Sequence, residues 1–487
     1  MTLTDDACYA ALTARDRRFD GVFFTGVRTT GIYCRPICPA RTPARENSTF
    51  YGTAIDAERA GFRACFRCRP EVAPGNATVD AVPSLVARAV RRIDEGALNE
   101  GSVDELGAEL GVTGRHLRRS LEEHLGVAPV VLAQAQRIAL AKALLQDSTL
   151  GIAEIAFASG FQSVRRFNAA FQQQMGRAPS TLRKEQAPSA PLPGVTLRLD
   201  YRPPYDAARI LAFLGARAIP GVEVVASSEY RRVVQARGAT GVIRVGFDER
   251  RPSVWLSVSA SLLPALMRIT SRVRALFDLD AHPDAIDGAL SADPLLGPLV
   301  RARPGLRVPG AADPFEAGVR ALLGQQISVI AARTLAGRFA ERFGVPVPTD
   351  DPDLSRRFPS AAEVARVTPD EIQAIGLTRA RAAALHAFAT AVSDRRLRFD
   401  SGRSAPDLDG FVADASVLPG IGPWTAQYLA MRALHHPDAF PTSDLGIKKA
   451  LGLDHLREIE ARAAVWRPWR SYAVVHLWTA LSEGDLS

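Results

Sequence analysis

The sequence predicts a multidomain α+β protein with four parts: a small cysteine-bearing domain, an all-α domain, a small antiparallel α+β domain and a larger all-α domain. At 487 residues the chain is too long for one hydrophobic core. Its apolar fraction of 47% and charged fraction of 23% are those of globular proteins and exclude a disordered chain. The patterning changes along the chain from a cysteine cluster to helical, then alternating, then again helical segments.

The net charge of +8 favours a polyanionic partner. Almost all basic residues are arginine, whose planar fork suits phosphate; the lysines are Lys142, Lys184, Lys448 and Lys449. No apolar run approaches the roughly eighteen residues of a membrane span, and the N-terminus lacks the pattern of a secretory signal. We therefore expect a cytoplasmic, nucleoid-associated protein without a membrane partner.

All five cysteines lie within the first 68 residues. Cys34 and Cys38 form one close pair, and Cys65 and Cys68 form a second. Two such pairs on separated loops match a tetrahedral zinc site with four thiolate ligands. A disulfide framework is not expected in a reducing cytosol. Cys8 has no partner at ligand spacing and is predicted to be a spare buried thiol.

The residues around these cysteines are distinctive from Arg28 to Arg41, from Arg45 to Asn47 and from Ala60 to Cys68. Together they resemble the N-terminal domain of the Ada adaptive-response proteins, and this part is assigned to residues 1–75. The resemblance implies that Cys34 accepts a methyl group from a DNA methylphosphotriester while it remains a zinc ligand. Zinc keeps sulfur deprotonated, and a thiolate is the competent nucleophile. A purely structural zinc site is the alternative.

Six arginines near the ligands are expected to hold the phosphate backbone, or else to form a solvated basic face: Arg35, Arg41, Arg45, Arg63, Arg67 and Arg69.

Two helix-turn-helix units are predicted within residues 76–185, after a linker at 71–82. In each unit an apolar helix stops at a glycine, Gly111 or Gly160, and a second helix with exposed arginines follows. The second helix of each unit is sized for a DNA major groove. A helix around 132–145 joins the two units.

Two such units, closed by the stretch from Phe171 to Pro179, resemble the DNA-binding domain of AraC-type regulators. The resemblance implies promoter binding and transcriptional activation, with RNA polymerase as a further expected partner. The candidate DNA-contacting residues are Arg115, Arg118, Gln162, Arg165 and Arg166.

Residues 185–194 form a proline-rich spacer, which is the clearest domain boundary. Ada proteins continue here into an alkylguanine methyltransferase with a Pro-Cys-His-Arg motif. This chain has no cysteine beyond Cys68, so that activity is excluded.

Residues 195–290 are predicted to form the small antiparallel α+β domain. Four strands are expected at Thr196–Tyr201, Tyr230–Ala236, Gly241–Val245 and Ser253–Val258, with a helix near Tyr205–Leu214. From about Leu262 onward the chain is predicted to be helical.

The remaining part, 291–487, is organised around the stretch from Leu418 to Tyr428. Gly420 and Gly422 permit a tight turn between two helical runs, at 408–418 and 425–434. A helix that starts at Pro423 leaves free N–H groups, which receive a phosphate without contacting any base. An ordinary turn between two helices is the alternative.

This hairpin, followed by Asp444, resembles the helix–hairpin–helix of the DNA-repair glycosylase superfamily. The stretch from Asp313 to Val329 resembles the first long helix of 3-methyladenine glycosylase II, the AlkA type, and the resemblance continues to Trp478. It implies an all-α glycosylase domain that binds double-stranded DNA and releases alkylated purines such as 3-methyladenine and 7-methylguanine.

The resemblance also implies the site residues. Trp424, Tyr428 and Trp478 would stack on a flipped, cationic base, and Asp444 would stabilise the sugar cation. Packing in the helix core is the alternative for the aromatic residues. For Asp444 it is a helix N-cap, a role compatible with catalysis. Asp438 is a weaker candidate for the catalytic carboxylate.

Relatives with strand-cleaving activity carry a lysine at the position of Trp424, so this chain is expected to be a monofunctional hydrolase without lyase activity. Gln326 falls where some relatives insert a leucine into the DNA stack, which leaves the identity of the wedge open. Backbone carbonyls near Leu418 and Gly420 are expected to hold a monovalent cation.

The leading hypothesis is a monomeric, fused protein of the alkylation response that combines repair with transcriptional activation. The alternative is a transcription regulator whose glycosylase half only binds DNA. A third option is a glycosylase whose N-terminal half serves only to bring it to DNA. Retention of Asp444 and all three aromatic residues argues against the second hypothesis, because a retired site tolerates their loss.

Overall fold

The computed structural model describes residues 3–74, 84–185, 195–399 and 408–485. The chain divides into two compact units. The first contains residues 1–203, 245–271 and 279–282, and the second contains 204–244, 272–278 and 283–487. Most of the predicted linker at 71–82 and nearly all of the spacer at 185–194 lie outside the described residues.

The N-terminal part of the first unit is a four-stranded sheet with two helices. Its elements are α1 (Asp5–Ala14), β1 (Phe24–Val27), β2 (Ile32–Cys34), β3 (Ser48–Tyr51), α2 (Ala54–Arg59) and β4 (Arg63–Ala64). The strand order is β3-β1-β2-β4, with β2 and β4 parallel and the other pairs antiparallel. Cys34 ends β2, opposite Thr25, so the sheet fixes the position of this cysteine.

The helical part of the first unit confirms the two predicted helix-turn-helix motifs. Its helices are α3 (Ser84–Asp94), α4 (Val103–Glu109), α5 (Gly114–Leu125), α6 (Pro129–Asp147), α7 (Ile152–Ala158), α8 (Val164–Met175) and α9 (Pro179–Glu185). Gly111 and Gly160 follow α4 and α7 with φ of 79° and 90°, values that favour glycine. Leu117 on α5 and Phe167 on α8 are fully buried. The polar residues on the opposite face of each helix therefore point outward.

A five-stranded sheet follows. Its strands are β5 (Val195–Asp200), β6 (Glu223–Ala226), β7 (Glu229–Ala236), β8 (Ala239–Phe247) and β9 (Ser253–Val258), in the order β5-β9-β8-β7-β6. The four predicted strands are confirmed, but β6 was not predicted. Only four residues long, β6 shows no clear alternation of buried and exposed positions. Helix α10 (Ala207–Ala216) corresponds to the helix expected near 205–214.

The rest of the chain is mainly helical, as expected. After α11 (Leu266–Leu276) come α12 (Pro283–Leu290), α13 (Leu296–Ala302), α14 (Pro314–Gly324), α15 (Val329–Phe343), α16 (Ala361–Val364), α17 (Pro369–Gln373), α18 (Arg379–Ser393), α19 (Leu408–Ser416), α20 (Pro423–Arg432), α21 (Leu445–Leu451), α22 (Leu456–Ala463) and α23 (Arg470–Glu483). The expectation of helices alone was wrong at one place. Two short strands, β10 (Val345–Pro346) and β11 (Arg356–Arg357), pair antiparallel.

Within the described ranges, no single helix is both long and apolar enough to cross a membrane, although the bent pair α5 and α6 passes the test by length and composition.

Candidate functional site

The turn between α19 and α20 requires glycine at its centre. Gly420 has a φ of 77°, and a Cβ atom there would lie only 2.6 Å from the Cβ of Ala384. Gly422 caps α20, and a Cβ atom on it would meet no other atom within 4 Å. The first turn of α20 therefore begins at an open surface, where a phosphate can approach the backbone N–H groups.

Gln325, at the C-terminal end of α14, fixes this hairpin. Its Nε2 donates to the carbonyl oxygen of Gly420 at 2.8 Å and to Oγ1 of Thr425 at 3.1 Å. Arg381 donates to the carbonyl oxygen of Gln325 at 2.8 Å. The next residue, Gln326, is exposed in the left-handed region, with a φ of 59°. The turn thus presents the Gln326 side chain to solvent.

Asp444 is the N-cap of α21 and is held by three donors. Its Oδ1 accepts from the backbone N–H of Ile447 at 3.0 Å and from Nε1 of Trp478 at 2.9 Å. Its Oδ2 accepts from Nε1 of Trp424 at 2.9 Å. The predicted cap is confirmed, and the two indole groups fix the orientation of the carboxylate.

The three predicted aromatic residues lie together and form what we call the aromatic trio: Trp424, Tyr428 and Trp478. Trp424 stacks on Tyr428 with ring centroids 5.3 Å apart and an interplanar angle of 12°. Tyr428 and Trp478 are 6.4 Å apart at 42°. All three are half-buried, which distinguishes them from core aromatic residues such as Trp466, only 1% exposed. The trio leaves ring surface available next to the Asp444 carboxylate.

Asp438 has a different role. It is buried, and its carboxylate accepts from Arg470 at 2.8 and 2.9 Å and from Arg467 at 2.6 Å. Asp438, the weaker candidate for the catalytic carboxylate, is therefore paired with two arginines. Its burial and these ion pairs support a structural role.

The four clustered cysteines come together as expected. The Sγ atoms of Cys34, Cys38, Cys65 and Cys68 all lie within 4.8 Å of one another. Four converging sulfur atoms fit a tetrahedral Zn²⁺ ion. Cys34 alone is half-exposed, whereas the other three are buried, so it is the ligand that an outside molecule reaches most readily. Cys8 is buried in a separate cluster with Phe23, as predicted for a spare thiol.

The expectation for the six neighbouring arginines was wrong for two of them. Arg35 is 1% exposed and pairs with Asp20 and, at 2.6 Å, with Asp200. Arg69 is 8% exposed and makes two hydrogen bonds to Asp147, at 2.5 and 2.6 Å. These arginines tie the cysteine loops to the rest of the first unit and are not available to phosphate. Of the other four, Arg41 and Arg67 are exposed, and Arg45 and Arg63 are half-buried.

Helix α6 supports the cysteine cluster from behind. Lys142 is fully buried and donates to the carbonyl oxygen of Cys65 at 2.8 Å and to Oε2 of Glu71 at 2.6 Å. Burial alone would raise the pKa of Glu71, but Lys142 and Arg69 lower it below its ordinary value. The helix that joins the two helix-turn-helix motifs is thus bonded directly to a loop that carries a zinc-ligand candidate.

The predicted DNA-contacting arginines lie on the outer faces of α5 and α8, and Gln162 lies just before α8. Arg115, Arg165 and Arg166 are exposed, and exposed Arg118 lies 3.7 Å from Asp104. Gln162 is exposed as well, but its amide donates to the carbonyl oxygen of Asn99 at 3.2 Å. The four arginines are therefore better placed for an external polyanion than Gln162 is.

Two residues with a direct part in the site geometry were not predicted. Nothing in the sequence distinguishes Gln325 except its position next to Gln326. Arg432 donates to the phenol oxygen of Tyr428 at 2.9 Å. The spacing of Tyr428 and Arg432, four residues apart on one predicted helix, is the signal that could have found the second contact.

Comparison with known proteins gives four consecutive domain matches. The family models matched are the metal binding domain of Ada over residues 7–71, a helix-turn-helix domain over 106–185, the AlkA N-terminal domain over 196–313, and the HhH-GPD superfamily base excision DNA repair protein over 319–470. The third match extends past residue 290, the predicted end of the small α+β domain. The predicted boundaries themselves stay predictions.

Individual proteins are also similar to this chain. DNA-3-methyladenine glycosylase 2 of Escherichia coli is 37% identical over 58% of this chain and 95% of its own length. A solved 3-methyladenine DNA-glycosylase from Archaeoglobus fulgidus has a TM-score of 0.51 at 19% identity, over 58% of this chain and 97% of its own. This likeness shows the fold of the C-terminal part. A probable bifunctional transcriptional activator/DNA repair enzyme AlkA of Mycobacterium tuberculosis is 40% identical over 98% of this chain and 96% of its own length. The chain therefore belongs to the family of bifunctional transcriptional activator/DNA repair enzymes.

Proposed function

We propose that this protein repairs alkylated DNA and activates transcription in response to it. In this proposal residues 1–75 bind zinc and accept methyl groups, 76–185 bind promoter DNA, and 195–290 with 291–487 form an N-glycosylase. The main observation behind this proposal is the position of the Asp444 carboxylate, which two indole N–H groups hold beside the aromatic trio.

The glycosylase chemistry follows from the charge of the substrate. A purine alkylated at N3 or N7 already carries a positive charge, so its glycosidic bond breaks with little protonation of the leaving group. The enzyme has to flip the base, hold it against aromatic surface and stabilise the sugar cation. The aromatic trio supplies the surface and Asp444 supplies the anion. The substrates proposed are 3-methyladenine and 7-methylguanine.

Trp424 stands where strand-cleaving relatives carry a lysine, so no amine is present there to form a Schiff base. Water therefore completes the reaction: it adds to C1′, loses a proton and leaves an intact strand with an abasic site. We propose that the enzyme is a monofunctional glycosylase, that Gly420 and Gly422 admit the DNA backbone, and that Gln326 enters the duplex where the base leaves.

The second activity is methyl transfer to Cys34. The thiolate attacks the methyl carbon of a methylphosphotriester, the carbon–oxygen bond breaks, and an ordinary phosphodiester anion leaves. The ligands proposed for one Zn²⁺ are Cys34, Cys38, Cys65 and Cys68, and the bound ion keeps their sulfur atoms deprotonated. The half-exposure of Cys34 supports its selection as the acceptor.

The regulatory activity is assigned to the two helix-turn-helix motifs, with Arg115, Arg118, Arg165 and Arg166 as DNA contacts. RNA polymerase is the further partner that activation requires, and the protein is proposed to act as a monomer. A monovalent cation is proposed at the hairpin. The carbonyl oxygens of Leu418 and Gly420 each accept one hydrogen bond, from Ile421 and Gln325, and retain a second lone pair.

One experiment tests the two chemical activities together. The full-length protein is incubated with duplex DNA treated with a methylating agent, and released bases and protein-bound methyl groups are measured in parallel. Release of 3-methyladenine together with labelling of Cys34 supports the proposal. Retention of all bases would instead support a regulator whose glycosylase half only binds DNA.

A further inference from the structure

Arg432 lies one helical turn after Tyr428 on α20 and is only 7% exposed. Its guanidinium donates to the carbonyl oxygens of Pro309 and Gly310, the second at 2.9 Å. Its Nη1 donates to the phenol oxygen of Tyr428, also at 2.9 Å. All three acceptors are uncharged, so these hydrogen bonds orient the cation without neutralising it.

The other groups around Arg432 also do not neutralise its positive charge. Arg217 and Arg432 both stack on the ring of Phe213, with guanidinium carbons 3.8 and 4.6 Å from the ring centroid. Arg320 and Glu223 are among the charged groups that act on Arg432, and they pair with each other. Burial lowers the pKa of Arg432. Arginine nevertheless stays protonated in proteins, so a buried positive charge stands behind Tyr428.

The aromatic trio therefore has opposite charges in contact with it at two places. The carboxylate of Asp444 accepts from the indole groups of Trp424 and Trp478. The guanidinium of Arg432 donates to the hydroxyl of Tyr428 and lies 5.6 Å from its ring centroid. A base stacked on the trio lies in the field between these two charges.

That field acts on the charge that moves during the reaction. When the bond between C1′ and the base nitrogen breaks, its electron pair goes to the base. A cationic purine thereby becomes neutral, and a neutral purine gains negative charge, while the sugar becomes positive in both cases. A cation on the base side and an anion on the sugar side both favour this transfer.

We propose that Arg432 is a positioning residue for base release, which places a fixed positive charge on the base side of the site through Tyr428. This inference rests on the proposed glycosylase function. The charge promotes cleavage of the glycosidic bond, but it also weakens binding of a base that is already cationic. Preference for cationic lesions then arises in the cleavage step more than in binding.

The test separates binding from cleavage. Dissociation constants are measured with the Asp444→Asn protein, for a duplex with 7-methylguanine and for one with its neutral isostere, 7-deaza-7-methylguanine. Adding Arg432→Met should tighten binding of the cationic base by about fivefold and leave the isostere unchanged, because only the cation is repelled. With Asp444 intact, Arg432→Met should slow single-turnover release of 7-methylguanine about tenfold.

Arg432→Lys is the matched control, since it keeps the charge and should keep the wild-type ratio of the two dissociation constants. Equal behaviour of the lysine and methionine variants, or loss of affinity for both duplexes together with rate, would assign Arg432 a merely structural role. If Arg432→Met does not fold, the proposal is tested on the Asp444→Asn protein with Arg432 intact, by comparing its dissociation constants for the two duplexes. Tenfold tighter binding of the cationic base than of its isostere would overturn the proposal.

Failure of the underlying function is recognised separately. Undiminished base release by the Asp444→Asn protein would remove the glycosylase assignment of that carboxylate, whatever the binding ratios are.

Discussion

The indole N–H of Trp424 donates to Oδ2 of Asp444 at 2.9 Å, across twenty residues of sequence. The residue proposed to hold the base thus also orients the carboxylate proposed to stabilise the sugar. Rotation of the Trp424 ring would release one carboxylate oxygen. Base binding and charge placement are therefore coupled through this side chain, and Trp478 makes the same link to the other carboxylate oxygen.

Trp424→Phe separates these two roles, because phenylalanine keeps an aromatic face and lacks the N–H donor. We expect DNA affinity to be nearly unchanged and single-turnover release of 7-methylguanine to fall about tenfold. Trp478→Phe should behave in the same way, since its indole holds the other oxygen of Asp444. Trp255→Phe, on strand β9, is the control and should retain full activity. An unchanged rate in both pocket variants would show that the indole donors do not position the carboxylate.

The product of the glycosylase should be an intact strand with an abasic site. Incubation of the enzyme with a 7-methylguanine duplex in the presence of borohydride should trap no covalent protein–DNA adduct, because Trp424 offers no amine. As a positive control, Trp424→Lys restores an amine at that position. An adduct formed by the unmodified protein would contradict the monofunctional assignment and point to another amine.

Methylation of Cys34 is expected to strengthen DNA binding. Four thiolates on one Zn²⁺ carry a net charge of −2, and methylation of one sulfur reduces it to −1. Repulsion of phosphate falls, so the methylated protein should bind a promoter duplex about fivefold more tightly at low salt, with a steeper salt dependence. The phosphate contacts should come from exposed arginines such as Arg41 and Arg67, since Arg35 and Arg69 are buried.

Titration of both forms against one duplex at two salt concentrations measures this effect. Equal affinities at low salt would leave Cys34 as a repair nucleophile without a switching function. Removal of zinc should abolish binding by this segment in both forms, because three of the four ligands form one of its buried clusters.

His476 predicts a pH dependence of stability. It is 1% exposed, and burial, followed by the charge of Arg303, lowers its pKa from 6.5 to about 4. Between these values the unfolded state binds more protons than the folded state, so stability falls as the pH falls through this window. Asp287, whose pKa burial raises from 3.8 to about 6, gives the opposite slope over part of the window.

Comparison of His476→Leu with the unmodified protein removes the contribution of Asp287, which both share. The variant should gain up to about 3 kcal/mol in relative stability as the pH is lowered from 7 to 4, measured from thermal midpoints. Parallel curves for the two proteins would show that His476 titrates normally in the folded state.

Local patterns predicted most of the fold because they depend on nearby residues. Asp444 precedes a short helix, and the cap forms as the sequence indicates. Gly111 and Gly160 end the first helices of both helix-turn-helix motifs for the same local reason. Strand β6 escaped prediction because four residues carry too little alternation.

Long-range ion pairs could not be predicted. Arg35 meets Asp200 across 165 residues, and Arg69 meets Asp147 across 78. In the sequence both arginines look like part of a basic face beside the cysteines. Their partners become apparent only when the fold brings acidic residues against those loops, and the outcome is structural pairing in place of phosphate binding.

The carboxylate of Asp444 is proposed to carry base release. This role is tested by measuring release of 3-methyladenine and 7-methylguanine from methylated duplex by Asp444→Asn, in single turnover, with Asp454→Asn as an exposed control. The amide variant should fold and bind DNA but lose release by about two orders of magnitude or more, while the control retains it. Release near the unmodified rate by Asp444→Asn would show that another group carries base release.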